Sequence, residues 1–282
     1  MSARLSSSSR GPALSRMLAC TLVGAGALVM VSPLYFMFVF ATQSRGAIFS
    51  SPPPLGPGSH LLDNLHTLLA ALPFWRNVGW SLYVACASAL LTVLLCSMAG
   101  YAFAMFRFRF RRALFVLVLG TMLVPQFLNM IPTFMVMDAL HWINQPRALY
   151  VPGAASAFGI VFMRQYISSS LPREVIEAAR LDGCGEFAVY WRIVLPLIVP
   201  ALGTLGMISF IASWNSFLMP LIVMRSPSMY TVPLALRSLQ TPTDTQWGAL
   251  MFGSAIATLP LLVIYLLYSR RLVDGLTAGA VK

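Results

Sequence analysis

The chain has 282 residues, of which 58% are hydrophobic and 10% charged, and its mean hydropathy is +0.78. Soluble domains carry charge on about a quarter of their residues, so this sequence lacks the polar surface to cover a globule in water, and lipid is the remaining solvent. The formal net charge of +11 is compatible with nucleic-acid binding by sign alone, but the placement of the basic residues along the chain excludes that class.

Residues 1–16 form a Ser- and Arg-rich tail. Met17–Phe40 follows without a charge, long enough to cross a bilayer as a helix of about 20 residues. A cleavable signal would have an apolar core of roughly 7–15 residues and a small-x-small site soon after it. Neither is present, so a retained first helix is expected. The external stretch 42–77 contains Ser50-Ser51-Pro52-Pro53-Pro54, which interrupts regular structure. Beyond it Leu61, Leu62, Leu65, Leu68 and Leu69 recur at helical spacing, predicting a short amphipathic helix that either lies at the outer surface or packs on the bundle.

Five more apolar runs follow: Trp80–Phe106, Ala113–Met137, Leu149–Met163, Leu195–Met224 and Trp247–Ser269. Backbone groups in hydrocarbon must be satisfied within the segment, so helices are expected. Pro125 and Pro132 should kink the third. Small residues at close intervals (Gly153, Ala157 and Gly159; Gly253 and Ala257) favour close helix packing. The predicted fold is all-α, a polytopic membrane protein of six transmembrane helices.

Arg4, Arg10 and Arg16 precede the first run, Arg107, Arg109, Arg111 and Arg112 follow the second, Arg164, Arg173, Arg180 and Arg192 follow the fourth, and Arg270, Arg271 and Lys282 follow the sixth. Fourteen of the nineteen basic residues thus fall on one side, and the positive-inside rule places both termini in the cytoplasm. Arg45, Arg76, Arg147, Arg225 and Arg237 fall on the other. No nucleic-acid partner is expected.

No Asp, Glu, Lys, Arg or His lies well inside these runs. A proton-driven carrier usually needs such groups at membrane depth, although a sodium-coupled carrier could use backbone carbonyls. Nucleophile-elbow, zincin and paired-carboxylate patterns are missing, as is a phosphate-binding P-loop, and Lys282 is the sole lysine. The expectation is therefore a transport protein and not an enzyme, with no metal or cofactor of its own. Any nucleotide energy must arrive from another subunit. Cys20, Cys86 and Cys96 fall in spans and Cys184 in a loop, none at metal-ligand spacing; His60, His66 and His141 fall in outer loops.

The informative segment lies between the fourth and fifth runs. Ser170 can cap a helix whose first turn holds Pro172 and Glu174. Val175, Ile176, Ala179 and Leu181 supply an apolar ridge, Asp182-Gly183 breaks the helix, and a second helix is expected over about 186–194. Physics alone leaves two readings, an ordinary amphipathic loop helix or a helix–turn–helix that projects from the membrane to meet a partner. On the fifth run, Ser209, Ser213 and Ser216 share one helical face beside Trp214 and Asn215, and Gln126 and Asn129 are the polar positions of the third. These side chains either line a path for a polar substrate or join helices by hydrogen bonds.

Glu177-Ala178-Ala179-x-x-Asp182-Gly183, followed by Ile193-x-Leu195-Pro196 and Pro200, resembles the EAA loop of ABC-importer permeases. Ala212-x-Trp214-Asn215-x-Phe217-Leu218-x-Pro220-Leu221 resembles the fifth-span signature of the carbohydrate-uptake subgroup, and the tail Gly275–Lys282 is similar to its carboxyl ends. Gly58–Leu65 and Pro73–Arg76 also look like the glycerol-phosphate branch. Cys184 stands where alanine is commoner.

This resemblance implies a type I importer permease fold in the bacterial cytoplasmic (inner) membrane, with a tail at 1–16, a first helix and external loop over 17–77, a permease core over 78–272 containing a coupling loop at 164–195, and a tail at 273–282. It implies a heterodimer with a second permease, two copies of an ABC ATPase that bind the ATP, and an external solute-binding protein. Glu177, Ala178, Ala179, Asp182, Gly183 and Cys184 would couple to the ATPase, and the tail could reach the same interface. The cargo implied is a sugar, with glycerol 3-phosphate or a glycerophosphodiester as the alternative within the family and a secondary carrier as the alternative outside it.

Overall fold

The computed structural model describes residues 11–241 and 245–280, with side chains described for 15–125, 127–241 and 245–267. All regular structure among the described residues is helical. The principal helices are α1 (Gly11–Phe40), α2 (Leu61–Ala71), α3 (Phe74–Met105), α4 (Arg111–Thr121), α5 (Met130–Ala139), α6 (Ala157–Ser170), α7 (Arg173–Leu181), α8 (Glu186–Leu197), α9 (Val199–Trp214), α10 (Leu218–Val223), α11 (Val232–Ser238) and α12 (Trp247–Ala280). Within them Ser15–Phe40, Phe74–Met105 and Trp247–Leu267 are long and apolar enough to cross a membrane.

Prolines explain where the other expected spans divide. A proline removes the N–H that would serve the carbonyl four residues earlier and its ring crowds that carbonyl. α4 ends at Thr121, four residues before Pro125, and a 3-10 turn over Gln126–Asn129 leads into α5. The run expected as one helix over 113–137 is therefore two. Pro132 sits harmlessly in the first turn of α5, where its N–H would have had no partner. In the next division, α8 and α9 meet at 81°, with Ile198 out of helical geometry at φ −101°, ψ 9° between Pro196 and Pro200. α9 stops at Trp214, and Pro220 accounts for the break over residues 215–217, because Ser216 is its residue four earlier.

The fourth helix also differs from expectation. It starts at Ala157, not Leu149, because Pro152 and Gly153 lie in an irregular stretch and Ser156 is the N-cap, its hydroxyl accepting from the Gly159 N–H at 3.3 Å. Its 14 residues reach about 21 Å, short of the ~30 Å hydrocarbon layer.

The chain divides into two compact units, Met1–Leu68 with Pro242–Ile256, and Leu69–Thr241 with Ala257–Lys282. In the first, the proline-rich stretch is irregular but tied down. The Thr42 hydroxyl accepts from the Gly58 N–H at 2.7 Å, the Gln43 amide donates to the Gly56 carbonyl at 2.8 Å, and Asn64 donates to the carbonyls of Ala41 (2.9 Å) and Gln43 (3.0 Å). The predicted amphipathic helix is α2; Leu68 on it is fully buried while Leu61 and Leu62 are exposed.

In the second unit α3 packs along α6 and α9. Glycines set that spacing. A Cβ on Gly100 would sit 2.6 Å from Met163 Cβ and 2.8 Å from the Arg164 nitrogen, and one on Gly159 would sit 2.7 Å from Cys96 Sγ. The buried cluster built here (Cys96, Tyr101, Met163, Ile167, Val194, Leu205) continues through Ile176, Ala179 and Val189 into the loop helices α7 and α8. Three hydrogen bonds made by two α3 side chains hold it to the segment before α11 and to that helix's first residue: Asn77 donates to the carbonyls of Pro227 and Tyr230, both at 2.9 Å, and Ser81 accepts from the Val232 N–H at 2.7 Å.

Candidate functional site

The loop helix α7 has Glu174 in its first turn and Arg180 in its last, the order that suits the helix dipole. Its start differs from the sequence reading: Ser170 closes α6, and the N-cap is Pro172 at φ −62°, ψ 135° with no side-chain bond. At the other end Gly183 adopts φ +80°. The Cys184 N–H donates to the Ala179 carbonyl at 3.0 Å and the Gly183 N–H to the Arg180 carbonyl at 3.1 Å, which is a Schellman cap. A Cβ at Gly183 would meet nothing within 4 Å, so backbone conformation alone calls for glycine here.

Across this turn Arg180 and Glu186 form an ion pair, Nε to Oε1 at 2.6 Å and a second guanidinium nitrogen to Oε2 at 3.2 Å. The two parallel contacts are the fork geometry of arginine with a carboxylate. The hydrogen bond to Glu186 raises the Arg180 pKa above its ordinary value, so the guanidinium keeps its proton. Tyr101 on α3 donates to Glu186 Oε2 at 3.2 Å, and the Arg180 guanidinium lies 5.5 Å from the Phe106 ring centroid. Loop and membrane helix are thereby one body. This latch was not in the sequence reading, which counted Arg180 only for topology; the six-residue separation of opposite charges across a glycine turn was the available signal.

The predicted apolar ridge splits in two. Ile176 and Ala179 are buried in the shared cluster, whereas Val175 is exposed and Leu181 is 89% exposed at the tip. Glu177, Ala178, Asp182, Gly183 and Cys184 are exposed with it. Of the six predicted coupling residues, five therefore share the outward side of the loop and Ala179 anchors its inward side. α8 runs from Glu186 to Leu197, three residues beyond the expected end, through a π-turn over Tyr190–Val194.

The predicted path residues divide among three environments. Ser209, Ser213 and Ser216 line one cavity of about 230 Å³ together with Ser88, Thr92 and Thr231. The Thr231 hydroxyl is buried without a hydrogen-bond partner. Asn129 and Asn215 line a neighbouring groove of about 440 Å³ with Thr133, and Ser216 borders both. Trp214 is placed elsewhere. It is 3% exposed, stacks on Phe210 at 5.8 Å and donates its indole N–H to the Ala257 carbonyl at 3.1 Å, so it joins α9 to α12. The Gln126 side chain lies outside the described residues, as do the side chains of the tail from Gly275.

A feature absent from the sequence reading is an open basin of about 770 Å³ at the start of α3, lined by Arg76, Trp80, Tyr83, Gln145, Arg147 and Tyr150. Its aromatic residues stand edge to face, Trp80 with Tyr83 at 5.8 Å and Tyr83 with Tyr150 at 6.0 Å.

Residues 93–277 match the family described as binding-protein-dependent transport system inner membrane component. The chain is 35% identical to the arabinooligosaccharides transport system permease protein AraQ of Halalkalibacterium halodurans, over 80% of this chain and 81% of that protein. It is 31% identical to the sn-glycerol-3-phosphate transport system permease protein UgpE of Escherichia coli, over 91% and 94%. A crystal structure of a bacterial ABC transporter involved in import of the acidic polysaccharide alginate contains a chain that superposes with a TM-score of 0.83 at 20% identity, covering 94% of this chain and 99% of that one. This chain is a transport permease and belongs to the family of inner membrane components of binding-protein-dependent transport systems.

Proposed function

We propose that the chain moves a sugar across the bacterial cytoplasmic membrane by alternating access, powered by ATPase subunits that it does not itself contain. The observation that carries this reading is the loop around Gly183. Its inner side is fixed to the body by the Arg180–Glu186–Tyr101 latch, and its outer side presents Glu177, Ala178 and Leu181. A rigid lever with an unpartnered apolar tip suits rigid-body coupling to an ATPase. The reading includes six membrane crossings with both termini in the cytoplasm, a tail over 1–16, a first helix and external loop over 17–77, a permease core over 78–272 with its coupling loop at 164–195, and a tail over 273–282. The assembly is a second permease, two ABC ATPases that bind the ATP, and an external solute-binding protein; the chain itself takes no cofactor.

The cavity bordered by Ser88, Thr92, Ser209, Ser213 and Ser216 supports a sugar as cargo, because hydroxyls there can donate to and accept from sugar hydroxyls. Asn129 and Asn215 extend that polar lining, and Gln126 is assigned to the same path. Arabinooligosaccharide transport by a relative points the same way. Glycerol 3-phosphate is the second reading, favoured by Arg76 and Arg147 in the outer basin and by the likeness to a glycerol-phosphate permease.

Reconstitution with the partner permease, ATPase and binding protein in liposomes tests the proposal. ATP hydrolysis stimulated by the binding protein loaded with one neutral sugar is the expected result. Stimulation by glycerol 3-phosphate alone would select the second reading. Uptake without any ATPase would replace both with a secondary carrier.

A further inference from the structure

From a cavity of about 520 Å³ lined by Arg111, Arg112, Arg164, Phe108, Phe110 and Phe115, we infer that the chain holds an anionic phospholipid by its phosphodiester headgroup where α3 passes into α4. Three arginines line it and no carboxylate is among the lining residues. Arg111 and Arg112 occupy the first turn of α4, which has no acidic residue and no side-chain cap. Cations at the positive end of a helix dipole are unfavourable, and an anion reverses the sign of that interaction. The third guanidinium, Arg164 of α6, lies 4.0 Å from the Phe115 ring centroid.

The aromatic half of the site favours a lipid over a free anion. Phe108 and Phe115 both pack on Phe103, with centroids at 5.8 Å and 5.4 Å from it. Phe110 is 64% exposed and holds φ +65°, a conformation costly for a bulky residue. That strained turn projects an aromatic ring outward beside the arginines. Free phosphate has no use for it, whereas a lipid presents its headgroup and acyl chains at the interfacial depth that aromatics prefer. The apolar surface continues along α4, which fully buries none of its side chains and exposes Val116 and Leu117. Basic pockets between membrane helices are a recurrent form of headgroup site.

The proposal rests on the reading that α3 crosses the bilayer. The test uses the full chain in nanodiscs of phosphatidylcholine mixed with phosphatidylglycerol, followed by native mass spectrometry of the lipid retained on release. The wild type should retain phosphatidylglycerol in preference. Arg111→Gln, Arg112→Gln and Arg164→Gln combined should lose that preference, by about fivefold per arginine, and the corresponding triple Lys variant should keep more of it. Phe110→Gly should raise the thermal midpoint by relieving the backbone while lowering lipid retention, a pairing that a purely structural Phe110 would not produce. Equal retention by the wild type and both triple variants would overturn the proposal. So would complete displacement by inorganic phosphate with no effect of Phe108→Ala or Phe110→Gly, which would make this a free-anion site. Loss of ATPase association with lipid preference intact would make it a protein contact and overturn the proposal as well. Failure of the membrane reading is distinguishable, because the chain would then not enter nanodiscs of any composition.

Discussion

The α7–α8 loop and the α4–α5 segment leave the membrane bundle's core in opposite ways. In the loop, Ile176, Ala179 and Val189 join the buried cluster of α3, α6 and α9, and the latch closes the turn. No side chain of α4 is fully buried, and Pro125 separates it from α5. Both carry apolar residues, so hydrophobicity alone does not distinguish them. What differs is whether the chain satisfies its own surface: the loop is internally complete except at its tip, while α4 touches the bundle through Phe115 and leaves Val116, Leu117 and Leu119 exposed.

The largest disturbance of this contrast is expected at Gly183. Gly183→Pro cannot reach φ +80° and deletes the N–H that bonds Arg180. It should abolish ATP hydrolysis stimulated by the loaded binding protein while leaving membrane insertion intact. Gly183→Asn, which tolerates the left-handed region, should retain most of that activity. Next comes the junction that anchors the loop. Gly100→Ala places a methyl 2.6 Å from Met163 Cβ, and overpacking of this kind costs about 1–3 kcal/mol, readable as a lowered thermal midpoint in detergent. The smallest effect sharpens the comparison from the other side. Leu117→Ala on α4, at a position 64% exposed, should change the stability of the isolated chain by less than about 0.5 kcal/mol; a large loss would mean that α4 is packed after all.

The sequence made the helical class legible because long uncharged runs admit few other structures in lipid. It also contained the breaks. Pro125, Pro200 and Pro220 each mark a division, although hydropathy smooths over them and the runs at 113–137 and 195–224 look continuous. Polar residues on the fifth run were harder to sort. Ser213 and Trp214 are adjacent in sequence, yet a step of one residue turns about 100° around a helix. The serine borders the cavity while the indole is spent on Ala257. Tyr101 was not readable as part of the loop's latch, since 85 residues separate it from Glu186 and only the packing of α3 brings them together. The Arg76–Arg147 basin was hidden for the same reason.

The closeness of Gly159 to Cys96 has a practical consequence. Sealed at zero exposure, with its thiol directed at the Ala154 and Ser156 carbonyls (3.7 and 3.4 Å), Cys96 is shut off from reagents. Cys20 and Cys86 are exposed but sit on α1 and α3, within the segments long and apolar enough to cross a membrane. Cys184 alone among the four stands at the tip of a turn outside those long apolar helices. The unaltered sequence thus carries its own address for a fluorophore or spin label, next to Gly183, where the proposed docking of an ATPase subunit can be tested without engineering a cysteine-free background.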